Sequence, residues 1–165
     1  MVQYSVNTRR KRQAGHAFIE TSFVIVPLLA IAFAITDYSM AIFLRSTFQH
    51  AVREGVRYAV TYQTMSGMCQ DASIRQVVKN SSAGFLGDAH NSLITITYHP
   101  PTDLSLTLVG AGSNAAGNVV EVSVENFNYG WMAPLMRSNT PLNITVRAAD
   151  RTESLPGGAT TPPCR

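Results

Sequence analysis

The sequence predicts an α+β protein. A long N-terminal helix, membrane-spanning in its first half and amphipathic in its second, packs on a second helix and on a small, mainly antiparallel sheet of three or four strands. Three observations lead there. Residues 16–36, HAFIETSFVIVPLLAIAFAIT, hold a single carboxylate, Glu20, in 21 residues, and about 20 mostly apolar residues cross a bilayer as a helix. Residues 37–62 contain no proline and place Ala41, Leu44, Phe48, Ala51, Val52, Gly55, Val56 and Ala59 on one helical stripe. From residue 92 apolar and polar residues alternate with the period of a strand.

Residues 1–15 are polar, basic and aperiodic, and read as an irregular cytoplasmic leader. Arg9, Arg10, Lys11 and Arg12 stand just ahead of the apolar run, and cations beside a span stay on the cytoplasmic side. This topology leaves residues 37–165 outside. Glu20 lies one turn inside the apolar start. A carboxylate there is expensive in lipid and reads as functional unless it snorkels to the interface. Pro27 removes one helical hydrogen bond and is expected to bend or loosen the span. The helix runs on to about Gln63 and would be roughly 70 Å long at helical rise. Its outer half must bury its stripe on its own domain, on neighbouring copies, or on both. Arg45, Gln49, Arg53 and Arg57 fall on another face, and His50–Glu54 and Glu54–Arg57 are spaced as local pairs.

Residues 64–69 read as a break, and residues 70–86 as a second helix. Ile74, Val77, Val78 and Phe85 would face inward, Arg75 and Lys79 outward, with Gly84 and Gly87 as the stop. Leu93–His99 is a strand, Leu104–Val109 a short edge strand, and 110–117 a turn. Val119–Phe127 is the clearest strand, with Val120, Val122 and Val124 on one side. Trp131, Met132, Leu135 and Met136 read as a cap packed on the core, the alternative being an exposed contact patch. Leu142–Ala148 is the last strand, and the tail after Glu153 is mobile unless Cys164 holds it. The resulting division is leader 1–15, span 16–36, amphipathic continuation 37–63, outer α+β domain 64–153 and tail 154–165.

The net charge of +3 is concentrated in the leader; beyond residue 15 nine cations face ten acids. A nucleic-acid-binding function therefore has no support. Cys69 and Cys164 form no CxxC. In an oxidising compartment they would close a disulfide loop that stabilises by about 4 kcal/mol; otherwise they are two unrelated thiols. The four histidines are scattered, and no P-loop, GxGxxG, HExxH or GxSxG is present. No metal, cofactor or enzymatic activity is implied.

Two blocks bring a family into view. Arg12-Gln13-Ala14-Gly15-His16-Ala17-Phe18-Ile19-Glu20, followed by Pro27, precedes Ala51-Val52-Arg53-Glu54-Gly55-Val56-Arg57-Tyr58-Ala59. Together they resemble the TadE-like pseudopilins, minor pilin-type subunits of bacterial Tad (Flp-type) pilus systems. The resemblance covers about residues 10–60. It implies a pilin-like fold and cleavage by a prepilin peptidase between Gly15 and His16. Glu20 would become the fifth mature residue, which in pilin-like subunits pairs with a neighbour's N-terminal amine. Thr21, where major Flp pilins carry Tyr, and the sizeable outer domain imply a minor subunit. Arg53, Glu54, Gly55 and Arg57 would be the family motif after the span. The implied partners are the prepilin peptidase, the major Flp-type pilin, a TadF-like pseudopilin, the inner-membrane assembly platform and membrane lipid. The implied location is the bacterial inner membrane, with the C-terminal domain periplasmic.

Two other readings compete. An uncleaved single-pass anchor could present a binding or scaffold domain. Alternatively, Ala32-Phe33-Ala34 could be a signal-peptidase site that releases a soluble protein beginning at Ile35.

Overall fold

The computed structural model describes the backbone of residues 9–132 and 141–165, and side chains from His16 onward. The order is α1 (Arg9–Val60), α2 (Gln70–Ser81), a 3-10 turn (Asp88–Leu93), β1 (Ile94–His99), β2 (Val119–Tyr129), β3 (Leu142–Arg151) and a short 3-10 turn (Pro156–Gly158). The strands form one antiparallel sheet in the order β1–β2–β3. The fold class is the α+β arrangement read from the sequence. The described residues divide into two compact units, one holding α1 up to Met40 with Trp131 and Met132, the other beginning at Ala41.

In the first unit α1 is apolar all round. Phe18 and Phe23 are 76% and 79% exposed, and Val24, Leu28, Ile31 and Ile35 are also open. A helix of this kind belongs in an apolar solvent. It is the one helix among the described residues long and apolar enough to cross a membrane. Its hydroxyls bond within the helix: Thr21 donates to the carbonyl of Ala17 at 2.8 Å, Ser22 to Phe18 at 2.9 Å and Thr36 to Ala32 at 2.9 Å. These groups need nothing from water. Pro27 lies inside α1 without ending it. Near the end of this unit Asp37 is fully buried and accepts a hydrogen bond from the Met132 amide at 3.0 Å. Trp131 is half-buried, its ring 5.8 Å from that of Tyr38. Leu135 and Met136, expected to join it in a core cap, lie outside the described residues.

The leader differs from expectation, because α1 already begins at Arg9. Arginine, lysine, glutamine and alanine are good helix formers, and adding turns to an existing helix avoids the cost of nucleation.

The second unit is built on the predicted stripe. Leu44, Phe48, Ala51, Val52, Val56 and Ala59 are buried. They face Ile94, Ile96 and Tyr98 of β1, Val120, Val122 and Val124 of β2, and Ile144 and Val146 of β3, all buried as well. Cross-strand pairs such as Ile96–Val122 and Val124–Val146 align these positions on one side of the sheet. At Gly55 the helix lies close against its neighbours. A Cβ there would lie 2.6 Å from Val78 Cγ2, 3.5 Å from Val122 Cγ1 and 3.6 Å from Ile74 Cγ2. The glycine lets α1 touch both α2 and β2.

Four local features depart from the sequence reading. α2 stops at Ser81 rather than 86. The Ser82 hydroxyl donates to the Lys79 carbonyl at 2.6 Å and accepts from the Leu86 amide at 3.1 Å, while Ala83 and Gly84 turn with positive φ. That turn returns Leu86 to the core, whereas Val77 and Phe85 are only half-buried. The expected edge strand Leu104–Val109 is absent. Asp103 instead takes the amides of Ser105 and Leu106, Leu104 and Leu106 are exposed, and one bridge, Tyr98–Leu108, remains. β2 changes phase at a bulge between Val124 and Phe127, where Asn126 has φ 55°. Asparagine tolerates that conformation. The bulge turns Phe127 towards Phe48, ring centres 4.8 Å apart. Finally, neither His50–Glu54 nor Glu54–Arg57 is among the ion pairs of the described residues.

Because Gly55 has no room for a side chain, Gly55→Val should lower the stability of this unit by about 1–3 kcal/mol. Adding Val78→Ala should recover part of the loss by making space for the new methyls. Thermal unfolding of the full chain in detergent checks both. Equal melting points for Gly55→Val and wild type would disprove the close packing.

Candidate functional site

The residues singled out at the start of α1 meet in space. His16 Nε2 lies 3.0 Å from Glu20 Oε1, a pairing one helical turn apart, and both side chains are largely exposed. Helix geometry explains it, since residues i and i+4 are neighbours on one face. A protonated imidazole makes this an ion pair. The hydroxyl of Thr21 turns back to the Ala17 carbonyl and leaves Glu20 alone. The pair engages one oxygen of the carboxylate. Gly15, immediately before it, is within the helix, as is the backbone of Arg9, Arg10, Lys11 and Arg12, whose side chains lie outside the described residues.

The second motif block divides by role. Gly55 is the packing glycine between α1, α2 and β2. Arg53 and Arg57 point outward and Glu54 is half-buried, so the charged residues flank the contact without joining it.

Cys69 and Cys164 come together with Cα atoms 4.9 Å apart, in position for a disulfide. Around them is a polar latch that sequence reasoning missed. The Gln70 amide donates to the Cys164 carbonyl at 2.7 Å, and the Gln70 side chain donates to the Ala59 carbonyl at 3.0 Å. The latter satisfies one of the carbonyls left open at the end of α1. Asn114 Nδ2 donates both to Gln70 Oε1 and to the Pro163 carbonyl. Arg165 pairs with Asp71 at 2.8 Å, donates to Ser113 Oγ and lies 4.6 Å from the centre of the Tyr98 ring. The Tyr98 hydroxyl donates to Asp71, and burial together with that carboxylate holds it protonated well above its ordinary range. The tail is thus held at the C-terminal end of α1. The sequence signal was Cys164 beside a terminal arginine, but nothing in the spacing named Asp71, Ser113 or Asn114 as partners.

Among the described residues no group of three or more histidine, cysteine or acidic side chains could hold a metal ion. The site offers charge pairing.

Residues 15–57 match the family described as TadE-like protein. The chain carries a TadE-like segment. The match begins at Gly15 and ends at Arg57, so it takes in the His16–Glu20 pair, the span and the motif around Gly55. The TadE-like, Tad pilus-associated family is of pilus structural type. No curated protein and no solved structure matches the chain.

If the disulfide forms, intact protein should shift in mass by two hydrogens on reduction. Replacing both cysteines by serine should lower stability by about 2–4 kcal/mol and speed proteolysis of the tail. A melting point unchanged on reduction would leave the polar latch as the sufficient fastening.

Proposed function

We propose that this TadE-like chain is a minor pseudopilin of a Tad (Flp-type) pilus system. A prepilin peptidase cuts between Gly15 and His16. The chain remains in the bacterial inner membrane by residues 16–36, with the outer α+β unit in the periplasm, where the oxidising compartment closes Cys69–Cys164. It joins other pilin-like subunits through Glu20 and takes part in pilus assembly on the inner-membrane platform.

One observation carries this reading: the Glu20 carboxylate folds back one helical turn onto the His16 imidazole at 3.0 Å, inside the TadE-like segment and at the exposed start of the span. After cleavage, residue 16 would bear a new α-amino group. A carboxylate in lipid or between apolar helices is stable only beside a positive partner. Amine and carboxylate of adjacent subunits can supply one another. The order of features, cations then glycine then carboxylate then apolar run, suits a peptidase acting on the cytoplasmic face.

The uncleaved anchor is supported by a different feature, the passage of α1 through Gly15 without a break. A peptidase would have to open this first part of the helix. The two readings separate cleanly. N-terminal sequencing of membrane-extracted protein from cells with active prepilin peptidase should start at His16, and Gly15→Val should accumulate the longer form. An intact Met1 or Val2 in wild-type protein would leave the anchor reading. In the processed chain, Glu20→Gln should sharply reduce cross-linking to other pilin-like subunits without altering cleavage.

A further inference from the structure

The tail latch is made by one short segment, Pro163, Cys164 and Arg165. Cys164 meets Cys69, and its carbonyl takes the Gln70 amide. The Pro163 carbonyl takes Asn114 Nδ2. Arg165 pairs with Asp71, donates to Ser113 Oγ and lies over the Tyr98 ring. The cradle is drawn from three stretches, residues 69–71, 98 and 113–114, and Gln70 and Asn114 are fully buried in it. It fits a sulfur, two carbonyls and a guanidinium in one arrangement.

The segment is tied to its own chain by little else. Beyond Glu153, whose amide donates to the Val60 carbonyl, Ser154 and residues 156–161 are exposed, and Leu155 is half-buried. The Ala159 amide donates to the Pro156 carbonyl at 3.5 Å across a turn in which Gly157 and Gly158 have φ 69° and 71°. Glycine enters and leaves that conformation without strain, so the turn can act as a hinge. The ten residues from Ser154 to Pro163 reach about 35 Å when extended. A compact unit of about a hundred residues has a radius of gyration of about 13 Å, so a touching neighbour lies within that reach.

We propose that, where copies of this chain are crowded together, residues 163–165 of one copy seat in the cradle of a second, with Cys164 of the first bonded to Cys69 of the second. The occupant is a second copy because the cradle fits this segment and every copy carries both halves. Exchange keeps each contact and changes only which chain supplies it. Concentration then sets the balance. A short flexible linker holds its own segment at an effective concentration on the order of millimolar. Dilute chains close on themselves, and copies packed in a membrane or an assembly reach comparable local concentrations and exchange. The chemistry is neutral in electrons. A small thiolate attacks the sulfur of Cys164, an exposed residue, the bond to Cys69 breaks, and Cys69 leaves as a thiolate. A neighbour's Cys69 thiolate, freed in the same way, then takes Cys164 and expels the small thiol. One disulfide replaces another. Cleavage after Gly15 has no part in this, so the exchange and the pseudopilin reading fail separately.

The test uses full-length chains. Cys69→Ser and Cys164→Ser chains, differently tagged, cannot close their own disulfide. They are reconstituted together in dense proteoliposomes with a glutathione redox buffer, whose oxidised form accepts the two electrons. A reducible dimer should form that carries both tags and joins Cys164 of the first chain to Cys69 of the second. Arg165→Gln added to the Cys69→Ser chain should cut this dimer about fivefold, because the guanidinium contacts are lost. Wild-type chain should give Cys69–Cys164 dimers in the same proteoliposomes and monomer after identical treatment in dilute detergent. If circular dichroism shows a variant misfolded, the wild-type comparison decides alone. Mixed-variant dimer no more abundant than in either variant by itself would overturn the proposal. So would a dimer indifferent to Arg165→Gln, or wild type that stays monomeric in proteoliposomes.

Discussion

The outer unit depends on one close approach, between the backbone of α1 at Gly55 and the side chains of Val78, Val122 and Ile74. A three-stranded sheet with one apolar face cannot exclude water from that face by itself. Its cover here is the outer half of α1, and the cover is tight because one position has no side chain. Leu44, Phe48, Ala51 and Val52 before the glycine and Val56 and Ala59 after it can then reach the strands together. The bulge in β2 serves the same contact, since it brings Phe127 onto Phe48 where an unbroken alternation would have turned it away. Gly55 also lies in the second motif block of the TadE-like segment, with Arg53, Glu54 and Arg57 outside the contact. In this chain the motif's glycine is explained by packing, and the charged residues around it are free for surface work.

The same helix must be closed at its far end. Its last carbonyls have no further turn to bond, and burying them unpaired is costly. Gln70 reaches back to the Ala59 carbonyl, the Glu153 amide donates to the Val60 carbonyl, and the tail is drawn in by Asn114 and Arg165. The end of α1, the start of α2, the loop at 113–114 and the C-terminal tail thus share one network. Several of its members are buried polar groups, which resist replacement singly because each removal leaves another unpaired.

What the sequence revealed follows from what periodicity can carry. The stripe on α1 and the alternation in β2 are repeats over many residues, and both appear as read. Features made by one residue acting locally were invisible. Ser82 ends α2 by bonding in two directions, and Asp103 captures the amides that an edge strand would have used. Asn126 inserts a bulge by taking a positive φ. Each looks in sequence like an ordinary polar residue. For the candidate site the spacing of His16 and Glu20 was legible because i and i+4 neighbours meet on any helix. The tail latch was not, because its partners are separated by up to 94 residues and no local pattern joins them. Asp37, just beyond the apolar run, belongs to no periodic pattern and was not singled out; it is buried and accepts the Met132 amide.

The polar groups within the apolar run also rank themselves. Thr21, Ser22 and Thr36 each satisfy their hydroxyl on the carbonyl four residues earlier, so a bilayer makes no further demand on them. Glu20 cannot do this, because a carboxylate only accepts and the helix has already used its own amides. Its one partner among the described residues is His16, through one oxygen, and an imidazole is a partial answer because it is charged only when protonated. An α-amino group at residue 16 would add a second cation within reach of the same carboxylate or of a neighbour's. On the proposed reading, a cut after Gly15 would place a new cation one helical turn from Glu20, so that processing and assembly would both act through this one carboxylate.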